Sequence, residues 1–325
     1  MKAAYIESVG PPECIRFGDL PAPAIGPADV LVATTAVCVN PVDTLIRSGQ
    51  LAEKLPFPFV VGRDMAGVVR AVGSSVTRFA PGDRVWSNNQ GHHGRQGTFA
   101  EMLAVREDLL YRLPPGVDDQ QCVAFVHSGL TAVLGLQQAA LQRGESLFVN
   151  GGAGNVGSAV VQLARSRGAR VFATAGSAAG LAWCRTLGAE QVADYHDVDG
   201  VDRALAEFAP AGVDVHWDAS GQPDFDRAVA RIARRGRIVV MSGYAARPPF
   251  PVGAFYVKHA SMHGFAVTYA SDDEARAAAD EINRWFVQGR LAVRTDRVLP
   301  LAQAAVAHRL IEERAPLAGK IVLVP

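Results

Sequence analysis

The sequence predicts an α/β protein: a doubly wound parallel sheet with helices on both faces, accompanied by a separate β-rich domain. Three observations carry that prediction. An apolar strand, a glycine turn and a helical pattern follow one another without interruption over residues 147–164. Strand and helix patterns then alternate as far as residue 267. Residues 1–121 show short β runs broken by proline and glycine instead. At 325 residues the chain exceeds one average domain, so two are expected.

In chain order, β runs at residues 2–6, 30–37, 68–72, 84–86 and 100–105 are punctuated by Pro11, Pro12, Pro21, Pro23, Pro27, Pro81 and Gly82. This reads as an irregular barrel or sandwich rather than a βαβ unit. Asn40-Pro41-Val42-Asp43 reads as a strand running into a turn. Arg47 serves either a cleft or a surface ion pair. His92 and His93 stand side by side in a polar, glycine-flanked loop. They are either solvated loop residues or rim residues of a substrate cleft, with His93 the cleft candidate. Leu113-Pro114-Pro115-Gly116 is the expected boundary.

The stretch LFVNGGAGNVG at residues 147–157 organises the middle of the chain. Gly152, Gly154 and Gly157 fit the spacing G-x-G-x-x-G, in the strand–turn–helix context a dinucleotide fingerprint requires. Gly152 permits the tight turn, Gly154 lets backbone approach a pyrophosphate, and Gly157 lets the helix pack close to the strand. Free N–H groups at the helix start then face the phosphates. Further strands are expected at 170–174, 191–193, 213–217, 237–241 and 260–267, with helices at 181–187, 201–208 and 225–232 between them. Ligands of such sheets lie outside the carboxyl ends of the strands. Ala153, Asn155, Val156, Ser220, Gly221, Ser242 and Gly243 should therefore rim the site. Two amphipathic helices, 274–285 and 302–313, follow; the second carries His308, expected to be structural.

NAD-type sites place an acid about 20 residues after the fingerprint, on the ribose 2′-hydroxyl. Here that region reads Ala173-Thr174-Ala175-Gly176-Ser177, without an acid. A 2′-phosphate would not be repelled, and Ser177 can donate to it, so NADPH is favoured with NADH possible.

Half the residues are hydrophobic, 49%, and Lys plus Arg equals Asp plus Glu at 32 each. No bulk charge argues for nucleic acid or an anionic membrane. No apolar run approaches the roughly 18–20 residues of a membrane helix, and MKAAYIESVG lacks a signal-peptide core. A cytoplasmic protein is expected. Cys14, Cys38, Cys122 and Cys184 are scattered and read as free thiols.

Several phrases carry a resemblance: AVCVNPVDTLIRSG (36–49), FVVGRDMAGVVRAVGSSVTRFAPGDRVW (59–86), GTFAEMLAV (97–105), SGLTA (128–132), GGAGNVG and the terminal GKIVL (319–323). In this order over nearly the whole chain, they resemble the medium-chain dehydrogenase/reductase superfamily, and within it the zinc-independent quinone oxidoreductases. The resemblance implies a GroES-like β-barrel catalytic domain at 1–121 and 268–325, split around a Rossmann domain at 122–267. The substrate would lie in a cleft between them. It implies that Asn40 faces that cleft where zinc relatives place a ligand, and that Gly62-Arg63-Asp64 stands for their Gly-His-Glu. Neither Asn nor Arg is a good zinc ligand, so no metal is expected. Leu45 stands where such reductases commonly carry a Tyr, which leaves the cleft more apolar. Thr131, read as the start of a helix, would contact the nicotinamide carboxamide. Tyr195 would contact the 2′-phosphate, while the Lys that often completes that site aligns with Gly180. Ser242, Gly243 and Phe265 would offer backbone to the nicotinamide side. Lys320 would either reach the cofactor or flank a final strand.

The expected function is hydride transfer from NADPH to a small quinone, with proximity and orientation doing most of the catalysis. An enoyl reductase of α,β-unsaturated carbonyls and a non-catalytic dinucleotide-binding protein are the alternatives. A homodimer through edge-strand pairing at residues 260–267 is implied by the family.

Overall fold

The computed structural model describes residues 1–51 and 54–325. They form two compact units, Met1–His127 with Ala279–Pro325, and Ser128–Ala278.

The first unit starts with β1 (Lys2–Ile6), paired antiparallel with β2 (Arg16–Asp19). Then come β3 (Asp29–Val39), α1 (Pro41–Arg47), β4 (Phe59–Val60), β5 (Asp64–Val72), β6 (Arg84–Ser87), β7 (Met102–Arg106) and β8 (Tyr111–Arg112). Strand β3 is the spine: it pairs antiparallel with β5 and with β7. It alternates buried and half-buried residues until Ala36, then is buried outright to Val39. That change turns the end of β3, and Asn40 after it, into the interior. Asn40-Pro41 opens a helix rather than a turn. Proline suits the first helical position, and the Asp43 carboxyl accepts the Asn40 N–H at 2.8 Å, half of a capping box.

Helix α2 (Asp119–Gln138) runs for 20 residues and passes from the first unit into the second. Thr131 therefore sits well inside a helix and not at its start.

The second unit is a six-stranded sheet: β9 (Ser146–Asn150), β10 (Arg170–Ala175), β11 (Gln191–Asp194), β12 (Val213–Asp218), β13 (Ile232–Val240) and β14 (Ser261–Gly264). Their order is β11-β10-β9-β12-β13-β14, and every neighbouring pair is parallel. The crossovers carry α3 (Asn155–Ser166), α4 (Ala178–Thr186), α5 (Val198–Phe208), α6 (Phe225–Arg231) and α7 (Val252–Val257). The order reverses beside β9, so the chain leaves β9 and β12 in opposite directions and opens a crevice at their carboxyl ends. The core on one face contains Phe148, Phe172, Phe208, Val229 and Ile238. Strand β14 ends at Gly264, short of residue 267, and a 3₁₀ turn over Val267–Tyr269 follows.

Helix α8 (Asp272–Val287) leads back into the first unit. There β15 (Thr295–Pro300) and β16 (Lys320–Val324) complete its larger sheet, with α9 (Ala304–Glu312) between them in sequence. Strand β16 pairs with β3, register Ile321↔Val39, which brings the last residues of the chain beside Asn40. No helix among the described residues is long and apolar enough to cross a membrane.

Candidate functional site

The first unit holds a buried polar cluster. Asn40 is fully buried, and both ends of its carboxamide are engaged. Its Oδ1 accepts from Lys320 Nζ at 2.5 Å, and its Nδ2 donates to Asp64 Oδ2 at 2.7 Å. Asn88 Nδ2 donates to the other oxygen of Asp64 and lies 3.1 Å from His127 Nδ1. His127 Nδ1 is 3.9 Å from Asp64 Oδ1, and its side chain is only 15% exposed. Burial raises the Asp64 carboxyl to about 6, against the pull of Lys320 and the Asn40 and Asn88 amides. Burial likewise raises Asp43 to about 7. His127 is pushed well below the ordinary imidazole range by burial first, then by the Lys320 and Arg63 charges. Cys38, buried beside the cluster, is driven up to about 12, so its thiol stays protonated and inert. The chemistry available here is a neutral imidazole, an ammonium and a carboxyl that exchanges its proton near neutral pH.

Asn40, which the resemblance sets where zinc relatives bear a ligand, is thus a carboxamide bonded to an ammonium. Among the described residues no group of three or more His, Cys, Asp and Glu side chains is placed to hold a metal ion. Leu45 lies half-buried in α1. Arg47 is fully buried, not on the surface: it pairs with Glu312 and donates to the Gly10 carbonyl at 2.5 Å. The adjacent histidines part company. His92 is 2% exposed and so is not a solvated loop residue, whereas His93 is exposed with φ +52°.

In the second unit the glycine turn leaves β9 at the crevice. Gly151 has φ +77°, open to glycine and strained for other residues. A Cβ on Gly157 would stand 2.2 Å from the Gly151 carbonyl oxygen, and one on Gly152 2.7 Å from the Ala173 methyl. The turn is pinned from β10. Thr174 Oγ1 accepts the Gly151 N–H at 3.1 Å and donates to Asn150 Oδ1 at 2.8 Å, and the Thr174 carbonyl accepts the Gly152 N–H at 2.7 Å. Across the crevice Asp218, ending β12, accepts from the Ser220 N–H at 2.7 Å and hydroxyl at 2.6 Å. Gly154 and Asn155 are exposed, Ala153 and Val156 half-buried. The first N–H groups of α3, as at any helix start, have no carbonyl one turn back. A pyrophosphate fits this cradle: the bare glycines let backbone come close and the helix dipole is favourable.

Gly176 and Ser177 follow β10, and Tyr195 follows β11. Ser177 Oγ accepts the Gly180 N–H at 3.1 Å, capping α4 and leaving its own proton to donate. Tyr195 is 45% exposed, so it is not packed on the sheet. The turns after β12 and β13 touch, a Cβ on Gly243 coming 2.9 Å from the Gly221 carbonyl oxygen. Ser242 is half-buried beside them. The Phe265 ring packs edge-on to Trp217, 6.1 Å between centroids. It also lines a cavity of 440 Å³ with Leu134, Gln137, Tyr269 and Glu274, which no residue of the glycine turn lines. Thr131 is buried in α2. Sequence reading missed Asn88 and His127 in the cluster, and Asn150, Thr174 and Asp218 beneath the turn. Only the strand-end positions of the last three offered a signal.

Residues 26–115 match the alcohol dehydrogenase GroES-like domain, and residues 155–284 match the zinc-binding dehydrogenase domain. The quinone oxidoreductase of Sus scrofa is 30% identical over 327 residues, 99% of this chain and 97% of that protein. The chain belongs to the medium-chain dehydrogenase/reductase superfamily. Within this superfamily it falls in the quinone oxidoreductase branch, and it is an oxidoreductase. The chloroplastic NADPH-dependent alkenal/one oxidoreductase of Arabidopsis thaliana is 35% identical over 257 residues, 77% of this chain and 64% of that protein. Among solved members of the superfamily, the Escherichia coli quinone oxidoreductase complexed with NADPH superposes with a TM-score of 0.88. It is 25% identical, and the match covers all of both chains.

Proposed function

We propose that this chain transfers hydride from NADPH to a small quinone, without zinc. The observation that carries the reading is the open glycine cradle, pinned by Thr174 and followed by a β10 end that bears no acid. Bound NADPH supplies the hydride at its nicotinamide ring. The amides after Gly154 would take the pyrophosphate, and Ser177 and Tyr195, beside Gly176, the 2′-phosphate. Thr131, Ser242, Gly243, Phe265 and Lys320 remain the candidates around the nicotinamide. Asn40, Leu45 and His93 are the candidates for the acceptor, with Asn40 acting by holding Lys320 and Asp64 in place. A quinone becomes an aromatic hydroquinone on reduction and demands little acid–base assistance. That agrees with a cluster whose imidazole is held neutral.

The absence of zinc is supported by the residues themselves. Asn40 is committed to Lys320 and Asp64, and an ammonium beside a metal ion would repel it. Zinc content below one-tenth of an equivalent, on the order of background for a site without suitable ligands, is the result to look for in protein prepared with added zinc.

Reduction of α,β-unsaturated carbonyls is the second reading, favoured by the 35% identity to the alkenal/one oxidoreductase. NADPH consumption with 1,4-benzoquinone, 9,10-phenanthrenequinone and a simple enone separates the two. A preference of about 100-fold for the enone, some 2.7 kcal/mol of differential transition-state binding, reverses the assignment. We further place the protein in the cytoplasm as a homodimer paired through β14, whose outer edge has no strand partner among the described residues. Light scattering at micromolar concentration tests the dimer.

A further inference from the structure

Strands β10 and β11 run side by side to their carboxyl ends, with Ala175 in register with Asp194. Beyond that pair the two turns converge on Gly176. A Cβ there would lie 2.2 Å from Tyr195 Oη and 2.8 Å from His196 Cε1. Gly176 is therefore bare where two rings lean over it. The rings themselves stand 4.6 Å apart at 53°.

His196 is held in a defined orientation. Asp194 Oδ1 accepts its backbone N–H at 2.9 Å and lies 2.7 Å from its Nδ1. The Asp194 carboxyl is kept below the usual carboxylate range, first by that backbone N–H and then by the imidazole. An ionised carboxylate only accepts hydrogen bonds, so Nδ1 is the donor. The other ring nitrogen, Nε2, is left for a ligand, on a side chain 66% exposed.

Charge makes the position informative. Residues 171–184 and 186–202, which include both strand ends and both turns, contain no Lys or Arg. His196 is the one side chain in those stretches that can become a cation. Around it stand Asp194, Tyr195 and Asp197, the last occupied in accepting the Gly200 N–H at 2.9 Å. The facing turn brings Gly176 and Ser177, both uncharged.

We propose that His196, oriented by Asp194, reads the 2′-substituent of the adenosine ribose: its imidazolium Nε2–H meets the 2′-phosphate of NADPH and has no counterpart on NADH. This rests on the assignment of the glycine turn as the dinucleotide site. Imidazole donates from both nitrogens only when protonated. Loss of the His196 proton would therefore remove the Nε2–H contact and with it the preference for NADPH. Affinity for NADH is indifferent to that change. Asp194 is a positioning residue that fixes which nitrogen faces the ligand.

The test is isothermal titration of the full chain with NADPH and with NADH at pH 6 and pH 8. The wild type, His196→Gln and His196→Arg are compared. One charge-assisted hydrogen bond corresponds to roughly tenfold in affinity or more. The wild type should favour NADPH over NADH by that factor at pH 6. His196→Gln should lose it already at pH 6, with NADH binding unchanged, which also shows that the variant is folded. A phosphate monoester itself titrates near pH 6, so whatever pH dependence survives in His196→Gln belongs to the ligand. His196→Arg should keep the preference at both pH values. If the wild type favours NADPH and His196→Gln favours it equally, the role of His196 is wrong and the NADPH site stands. A wild type that binds the two cofactors equally also overturns the proposal. If it binds neither, the dinucleotide assignment falls and the proposal with it.

Discussion

Lys320 Nζ donates to Asn40 Oδ1 at 2.5 Å, although 280 residues separate the two in sequence. The pairing β16–β3 makes this possible, because Ile321 lies opposite Val39 and so sets Lys320 beside Asn40. Both residues are buried, and Lys320 is 4% exposed. A buried ammonium needs a counter-charge, and Asp64, bonded to the far end of the same carboxamide, supplies it. Replacing Lys320 by Met leaves the Asp64 charge without that support. The expected cost is about 3 kcal/mol of stability at pH 7, as for breaking a buried pair. The double variant with Asp64→Asn should recover part of it. Urea unfolding of the four proteins of the cycle measures the coupling, and additive losses would show that the two groups do not interact.

The glycine turn makes a sharper prediction because the volumes are fixed. Gly157→Ala puts a methyl 2.2 Å from the Gly151 carbonyl oxygen, so α3 must move away from β9. NADPH affinity should fall by at least about 100-fold, or 2.7 kcal/mol, with the turn no longer shaped for a pyrophosphate. Gly253→Ala is the control. It lies in α7, where an added Cβ meets nothing within 4 Å. It should be neutral or stabilise by up to about 1 kcal/mol through the unfolded state. Titration of NADPH together with thermal melting of both variants separates loss of the site from loss of the fold.

The turn could be read in advance because its residues are contiguous. Strand, glycines and helix all lie within about 20 positions, and their chemistry repeats in a fixed order. The cluster around Asn40 could not be assembled that way. Asp64 and Asn88 lie 24 positions apart, and only sheet pairing brings Lys320 to them. The signal for α1 was present, with Pro41 at the first helical position and Asp43 two residues on. Asn-Pro also opens turns, and local chemistry alone does not choose between the two. Thr131 was misplaced for a related reason. The α2 pattern is apolar nearly all round from Cys122 to Leu136, so it has no periodic face to mark where the helix begins.

His308 gives a pH prediction. It is fully buried in α9, its ring edge-on to Phe99 at 6.0 Å, and neither ring nitrogen has a hydrogen-bond partner. Burial, followed by the Arg47 charge, lowers its pKa to about 3. In the unfolded chain an imidazole titrates near 6.5. Between these values the unfolded state binds one proton more than the folded state. The stability tied to His308 is therefore complete above about pH 6.5 and is lost as pH falls, by about 1.4 kcal/mol per unit. Asp43 and Asp64 act in the opposite sense. Raised to about 7 and about 6, they take up protons in the folded state first, so their contribution grows as pH falls through those values. His308→Leu removes the histidine and leaves both carboxyls. Between pH 7 and pH 5 the variant should lose about 2 kcal/mol less than the wild type. Urea midpoints at the two pH values provide the comparison, and equal losses would place the acid sensitivity elsewhere.

Thr174 offers the last test, on a residue that touches no ligand in this reading. Its hydroxyl accepts from Gly151 N–H and donates to Asn150, so one oxygen joins the ends of β9 and β10 beneath the glycine turn. Thr174→Val keeps the shape and removes both bonds. The Gly151 N–H is then left without its acceptor, at a cost of about 1–2 kcal/mol. If the hydroxyl only stabilises the sheet, that cost appears in unfolding and NADPH affinity is untouched. If it preorganises the turn, as the geometry implies, affinity for NADPH and NADH should fall together by about tenfold. Thr174→Ser, which restores the oxygen without the methyl, should recover the affinity before it recovers the stability. Equal effects on both cofactors distinguish this residue from His196, whose loss should be felt by NADPH alone.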